Sequence, residues 1–142
     1  MKDSFVYSLF EEATPGTFED GYVFVIPPDL ATADQDPDAG YWHCDIAHDN
    51  DLTWSDMVYL LFGLPAGTPV QRDWAVARYT EPSRTILERV RTYALRRKLG
   101  FIIDAAIRGV GDSHRWIRVL AVPILSKRNG RVVALHGLKR PI

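Results

Sequence analysis

From Gly40 onward, apolar and polar positions alternate with regular periods. Tyr41–Ile46 and Leu52–Trp54 read as two short strands around the polar turn Ala47–Asp51. Ser55 or Asp56 stands where a cap is needed for a helix through Phe62, with Met57, Val58, Leu61 and Phe62 at helical spacing. Gly63 is a natural left-handed stop, and Pro65 enforces it. Pro69–Tyr79 gives a second, weaker helical stretch carrying Trp74 and Val76. Thr80 can cap the longest helix, which runs to about Leu99 on the apolar stripe Ile86, Leu87, Val90, Tyr93 and Ala94. Arg96, Arg97 and Lys98 crowd its last turn, where the helix dipole favours cations, and Gly100 ends it. The remainder reads as β: Phe101–Arg108, a turn at Gly109–Ser113, His114–Leu125, a turn at Lys127–Gly130, and Val132–Leu138. Asn129-Gly130 favours the positive φ angles of a tight hairpin turn.

Before Gly40 the pattern is thinner. Ser4–Glu12 can form a short helix presenting Phe5 and Leu9, closed by Thr14-Pro15-Gly16. Tyr22–Ile26 is a β-prone run stopped by Pro27-Pro28, either an edge strand or an extended strip over the sheet. Asp29–Ala39 is acidic and turn-rich, so the expected division is an arm over 1–39 and a folded domain over 40–142. Strand Trp116–Val122 is apolar on both alternating faces. A strand with one wet face alternates more cleanly, so both faces are expected to be covered, one by the helices and the other by the arm or a second chain.

Composition is that of an ordinary globular domain, at 46% hydrophobic and 25% charged residues over 142 positions. The net charge of −1 conceals an asymmetry. Residues 1–50 hold eleven Asp/Glu against Lys2 alone, and residues 51–142 hold seven against sixteen Lys/Arg, about −10 and +9. Self-pairing of the acidic arm with the basic remainder accounts for this, and an anionic ligand on the basic half is the sharper alternative. A whole-chain pI of about 6.4 argues against nucleic acid. No apolar run reaches the roughly 18 residues of a spanning helix, and the N-terminus lacks a signal peptide's basic start and apolar middle. One cysteine, Cys44, excludes an intrachain disulfide and fits a reducing cytoplasm, so a cytoplasmic protein is expected.

The element order β-β-α-α-α-β-β-β, with Gly40–Ile46, Leu52–Ser55, Leu61–Pro65, Arg115–Val119, Gly130–Val133 and Leu135–Leu138 in sequence, resembles a Per-Arnt-Sim (PAS) domain. The likeness is to the subclass common in bacterial sensor kinases and cyclic-di-GMP enzymes, and it covers about Gly40–Ile142. It implies an α+β fold: a five-stranded antiparallel sheet with helices on one face and the N-terminal arm or helix on the other. Two departures stand out. Thr80-Glu81-Pro82-Ser83-Arg84 replaces the family's usual His-Pro-Glu-Asp-Arg-like approach to the long helix. Lys139-Arg140-Pro141-Ile142 replaces the usual Asp-Ile-Thr ending, so a stand-alone module with no attached output domain is expected.

The family's cofactors demand residues that this chain lacks. It has no Asn-Cys-Arg-Phe-like flavin photoadduct run, no histidine on the long helix for haem, and no helix-region cysteine for a coumaroyl thioester. No cofactor is therefore expected, although an unidentified small ligand stays open. His43, His48, His114 and His136 share no good metal spacing, and neighbours His43 and Cys44 must point to opposite faces of a strand. No catalytic constellation stands out. Tyr59, Phe62, Trp74, Leu87, Val90, Ile103 and Ala105 either line an apolar ligand pocket or simply fill the core. Arg84, Arg91, Arg115 and Arg118 form a candidate basic face for an anion, and Phe5, Leu9, Tyr22, Phe24, Trp116 and Leu120 a candidate dimer or arm interface.

The expected function is a non-enzymatic bacterial signal-transduction module, an adaptor or regulator of a histidine kinase in a two-component system, self-associating as a homodimer. A small-molecule sensor is the alternative, and a small hydrolase or isomerase a third. Neither nucleic acid nor membrane insertion is expected.

Overall fold

The computed structural model describes residues 23–26, 38–109 and 113–142. In chain order these form β1 (Val23–Ile26), β2 (Gly40–Asp45), β3 (Asp51–Trp54), α1 (Asp56–Phe62), α2 (Arg72–Ala77), α3 (Glu81–Arg97), β4 (Gly100–Arg108), β5 (His114–Leu125) and β6 (Val132–Pro141). A short 3-10 turn, Ile46–His48, joins β2 to β3. All strand pairings are antiparallel, in the spatial order β1-β4-β5-β6-β2-β3. The five strands expected from the sequence are β2 to β6, and β1 is a sixth at the β4 edge. Of the two placements open for the β-prone run before Pro27, the edge strand is the one found. The expected helix at Ser4–Glu12 and residues 29–37 of the expected linker Asp29–Ala39 lie outside the described residues.

Strand alternation sorts the sheet into two faces. Trp42 and Cys44 of β2, Trp54 of β3, Phe101, Ile103, Ala105 and Ile107 of β4, Ile117, Val119 and Ala121 of β5, and Leu135 of β6 are buried together. Against them pack Val58, Tyr59 and Leu61 of α1, Ala75 of α2, and Ile86, Leu87, Val90 and Ala94 of α3. Each large apolar side chain so buried contributes about 1.5–3 kcal/mol before entropy is set against it. Trp54 stacks on Phe62 at 4.7 Å and meets Tyr59 edge-on at 5.3 Å, which fastens α1 to the end of β3. Gly40 is needed where α1 crosses β2, since a Cβ there would stand 2.6 Å from both the Val58 backbone nitrogen and its side chain.

The approach to α3 is stitched to β4. Thr80 N–H donates to the Ala106 carbonyl at 2.9 Å, Arg108 N–H to the Arg78 carbonyl at 2.8 Å, and Ala106 N–H to the buried Ser83 hydroxyl at 2.9 Å. With the single bridge between Tyr79 and Ile107, these bonds hold Tyr79 firmly under the sheet.

Three local expectations are corrected. Ser55 and Thr80 occupy N-cap positions but make no side-chain cap bond; the Ser55 hydroxyl instead accepts from the Tyr41 N–H at 2.8 Å, tying α1 to β2. The long helix ends on Lys98 in the left-handed region (φ 56°), and Gly100 opens β4. Strand β6 runs past Leu138 to Pro141, which brings Lys139 into the sheet.

Candidate functional site

Alternation along β6 turns Leu135, Gly137 and Lys139 toward the helices and His136, Leu138 and Arg140 to the other face. Lys139 is thereby carried into the core, only 8% exposed, paired in register with Val119 and Gly40. Its Nζ lies 5.1 Å from the ring centre of Phe62, 5.4 Å from Trp42, 5.5 Å from Tyr79 and 5.6 Å from Trp54. It donates a hydrogen bond to the Tyr79 hydroxyl at 3.0 Å and has no carboxylate partner among the described residues. Ring faces attract a cation by up to about 2 kcal/mol in a desolvated site. Removing an ammonium from water costs several kcal/mol, and here that cost wins. Burial pushes the Lys139 pKa from 10.5 down to about 7, with Cys44 opposing the shift and Arg72 adding to it. Burial likewise raises the Tyr79 hydroxyl, so the pair is a neutral phenol beside an amine that titrates near neutrality.

Gly137 makes this arrangement possible. A Cβ there would stand 1.7 Å from the Leu120 carbonyl oxygen, and the Trp42 indole N–H reaches across β6 to that same oxygen at 3.2 Å. A larger residue would displace Trp42, one wall of the lysine's surroundings.

Lys139 lines a cavity of about 60 Å³. Trp42 and Cys44 of β2, Leu52 and Trp54 of β3, Arg72, Ala75 and Val76 of α2, and Leu87 and Arg91 of α3 share it with Tyr79, Phe101, Val119 and Leu135. Its polar groups are mainly cationic. Arg91 donates to the Asn50 side-chain oxygen at 3.0 Å, and the Cys44 thiol donates weakly to the same atom at 3.7 Å. Asn50 is held there by the left-handed pair Asp49-Asn50 (φ 57° and 59°), a conformation these residue types tolerate. Arg72 is ion-paired with Glu88. Burial lowers the Arg91 pKa and Arg72 lowers it further, with Cys44 and the Glu88 carboxylate opposing, and neutral Asn50 and Cys44 are its directly bonded partners. Burial raises the Cys44 thiol against the pull of Arg91 and Arg72, which leaves it protonated. The Trp54 indole N–H is buried with no partner among the described residues. Leu52 and Arg72 also border a polar surface groove along His48–Leu52 and Val70–Asp73, so the cavity opens beside the start of α2.

The residues singled out from sequence fall in several places. Leu87 lines the cavity, and Phe62 stands by the Lys139 ammonium. Tyr59, Val90, Ile103 and Ala105 are packed core, with the Tyr59 hydroxyl bonded to the Thr68 carbonyl at 2.7 Å. Trp74 stands at the surface under Arg78. The four candidate basic-face arginines do not share a face. Arg91 lines the cavity, Arg84 is half-buried on α3, Arg115 reaches the Leu61 carbonyl, and Arg118 makes a two-pronged pair with Asp104 on the opposite side of the sheet. On that outer side Trp116 and Tyr41 are exposed and Leu120 is half-buried. The backbone of Phe24 pairs with that of Ile102 in register. Phe5, Leu9 and Tyr22 lie outside the described residues. His43 and Cys44 point to opposite faces, His43 opposite His136 in register and Cys44 into the core, while His48 pairs with Asp45 at 3.0 Å. His114 is exposed at the start of β5. Among the described residues no three His, Cys, Asp or Glu side chains converge.

No protein-family model matches the sequence, and no curated protein matches it. Solved structures do. The N-terminal domain of a diguanylate cyclase with a PAS/PAC sensor from Marinobacter aquaeolei aligns at TM-score 0.64 and 15% identity, over 72% of this chain and 94% of that one. The chain has the PAS fold. A sensory box histidine kinase/response regulator from Burkholderia thailandensis aligns at TM-score 0.60 and 14% identity, over 74% of this chain and 77% of that one. An RNA-binding light-oxygen-voltage receptor aligns at 0.62 and 15%, over 73% of this chain and 29% of that much longer one. Identities this low establish likeness of fold alone. In the PAS sheet of this chain the five strands run β4-β5-β6-β2-β3, with β1 appended beyond β4. No helix among the described residues is long and apolar enough to cross a membrane.

Proposed function

We propose that this chain is a sensory module without catalytic activity, and that the cavity around Lys139 takes a small anionic or polar molecule. The observation that carries this reading is that buried Lys139 and half-buried Arg91 line one cavity without a carboxylate directly bonded to either among the described residues. Buried charges are ordinarily paired. A ligand oxygen would satisfy them, together with the unpartnered Trp54 N–H. At about 60 Å³ the cavity has room for a molecule of roughly four to six heavy atoms, given about 10–15 Å³ per water-sized group. Flavin- or haem-sized groups need several-fold more, since sites for larger organic ligands run to about 300–1,000 Å³. A thermal-shift screen of small carboxylates, aldehydes and alcohols tests the reading. A saturable rise in the melting temperature with a small anion, lost on replacing Lys139 by Met, is the expected result. A flat response across the panel would count against it.

Binding has to be reported to something, and a second reading concerns the outer sheet face. Tyr41 and Trp116 are exposed there beside half-buried Ile102, Leu120 and Leu138. That surface suits a protein partner, a histidine kinase or a second copy of this chain in a homodimer, with residues 1–39 as an arm that contributes to it. The histidine-kinase domain among the structural neighbours supports this choice of partner class. In this reading the protein is a cytoplasmic regulator, and 40–142 is the sensing domain. Mass in solution, compared between the full chain and a form lacking Met1–Ala39, tests it. An unchanged dimer would remove the arm from the interface, and a monomer in both forms would remove self-association.

A further inference from the structure

A buried amine that titrates near neutrality, a phenol 3.0 Å from it, and two guanidinium groups lining the same cavity form a combination that anion binding alone does not require. We propose that Lys139 binds a small 2-oxo acid covalently, as an imine, with the carboxylate of the ligand held by Arg91 and Arg72. This inference rests on the ligand-cavity reading above and names the chemical class that the cavity selects.

Each part of the ligand has a counterpart. The carbonyl carbon needs an unprotonated amine, and burial leaves Lys139 near the midpoint of its titration at neutral pH. The carboxylate needs a cation with no carboxylate bonded to it. Arg72 holds Glu88, whose charge also reaches Arg91, but Arg91 itself bonds only the neutral Asn50 oxygen and the neutral Cys44 thiol, and a ligand carboxylate would add a direct charge-assisted contact. The small alkyl group has apolar surroundings in Leu87, Ala75 and Leu135. Six heavy atoms, the size of the smallest methyl-bearing 2-oxo acid, fill the volume available. The route inward passes Leu52 and Arg72, which border both the surface groove and the cavity.

The step balances without an oxidant or reductant. The Nζ lone pair forms a C–N bond to the carbonyl carbon, and the π electrons move to the carbonyl oxygen, which takes up a proton. The carbinolamine then loses that oxygen as water as the C=N bond forms, so one amine and one carbonyl give one imine and one water. Tyr79, the hydrogen-bond partner of Lys139, is placed to pass the proton between nitrogen and oxygen. The charged and titratable groups facing Nζ are Tyr79 ahead of α3, Cys44 on β2, Arg72 on α2 and Arg91 on α3. Cys44 and Tyr79 stay protonated at neutral pH, so the pH dependence of adduct formation follows Lys139 itself.

The test is reductive trapping. The full 142-residue chain is incubated at about neutral pH with pyruvate and sodium cyanoborohydride, then digested and mapped by mass spectrometry. The expected result is a saturable adduct on Lys139, well above the labelling of Lys2, Lys98 and Lys127. It should be absent in Lys139→Met and need roughly tenfold or more pyruvate in Arg91→Met, the loss expected for one hydrogen bond to a charged group. Equal labelling of all four lysines, or none at Lys139, would overturn the imine. If pyruvate still shifts the amide resonances of cavity residues in that case, the ligand cavity stands and only the covalent step falls. If pyruvate and the wider carboxylate panel both leave those resonances unmoved, both readings fall.

Discussion

Replacing Lys139 by methionine keeps the length and apolar stem of the side chain and deletes the ammonium. The effect on stability depends on pH, and its sign follows from linkage. The Lys139 pKa is about 7 in the folded protein against 10.5 when unfolded. Between these values the unfolded chain binds more protons, so wild-type stability rises with pH, and below about pH 7 the folded state carries the full penalty of a buried charge. From about pH 8.5 down to about pH 6 the folded amine takes up its proton only gradually, while the unfolded one is already charged. At about 1.4 kcal/mol per pKa unit, wild-type loses roughly 2 kcal/mol across that interval and the methionine variant does not. Cys44, whose thiol is raised, stays protonated through the same window in both proteins. His136, lowered by burial and then by His43, lies on the outer face and contributes equally to both. Removing the lysine also leaves the Tyr79 hydroxyl without its partner, a pH-independent offset. Urea unfolding at several pH values reads the difference between the two proteins. A gap that changes by about 2 kcal/mol in favour of the variant as pH falls is expected. A constant gap would show that Lys139 keeps an ordinary pKa, and the argument from its burial would be refuted.

Other consequences follow from the same geometry. Gly137→Ala places a Cβ 1.7 Å from the Leu120 carbonyl and should cost about 3 kcal/mol or more by denaturant unfolding, and an unchanged midpoint would mean the strands part there without penalty. Ser83→Ala strands the buried Ala106 N–H and should cost about 1–3 kcal/mol on the same measurement, with a neutral result refuting the stitch between α3 and β4. The Cys44 thiol, buried and raised, should react with a disulfide reagent orders of magnitude more slowly in the folded protein than in urea, and a fast native reaction would contradict its burial.

Much of the fold was legible because strand and helix periods differ and the turn chemistry is strong. The stripe Ile86, Leu87, Val90 and Ala94 is buried as its spacing requires, and Gly63 ends α1 in the left-handed conformation. Strand alternation also settled the Gly40–Trp54 stretch, with Cys44 inward and His43 outward. The site was harder to read. Lys139 belongs to Lys-Arg-Pro-Ile, a polar ending that looks like a tail, and only the continuation of β6 to Pro141 turns it inward. Alternation from Leu135 through Gly137 was the signal available, and it was outweighed by the rule that lysines stay in water. Arg91 shows the same failure: one of five cations on α3, it looks like part of a solvated face until tertiary packing brings it to the cavity. Of the two readings open for Tyr59, Val90, Ile103 and Ala105, packed core is the one found, because large apolar side chains at good spacing fill space.

Whether the cavity around Lys139 is a ligand site can be read by an amide NMR titration with pyruvate. Saturable shifts gathered on Cys44, Trp54, Ala75, Tyr79, Arg91 and Lys139 are expected, and their loss in Lys139→Met. Shifts confined to the outer sheet face, or identical responses in wild-type and variant, would contradict a ligand site there.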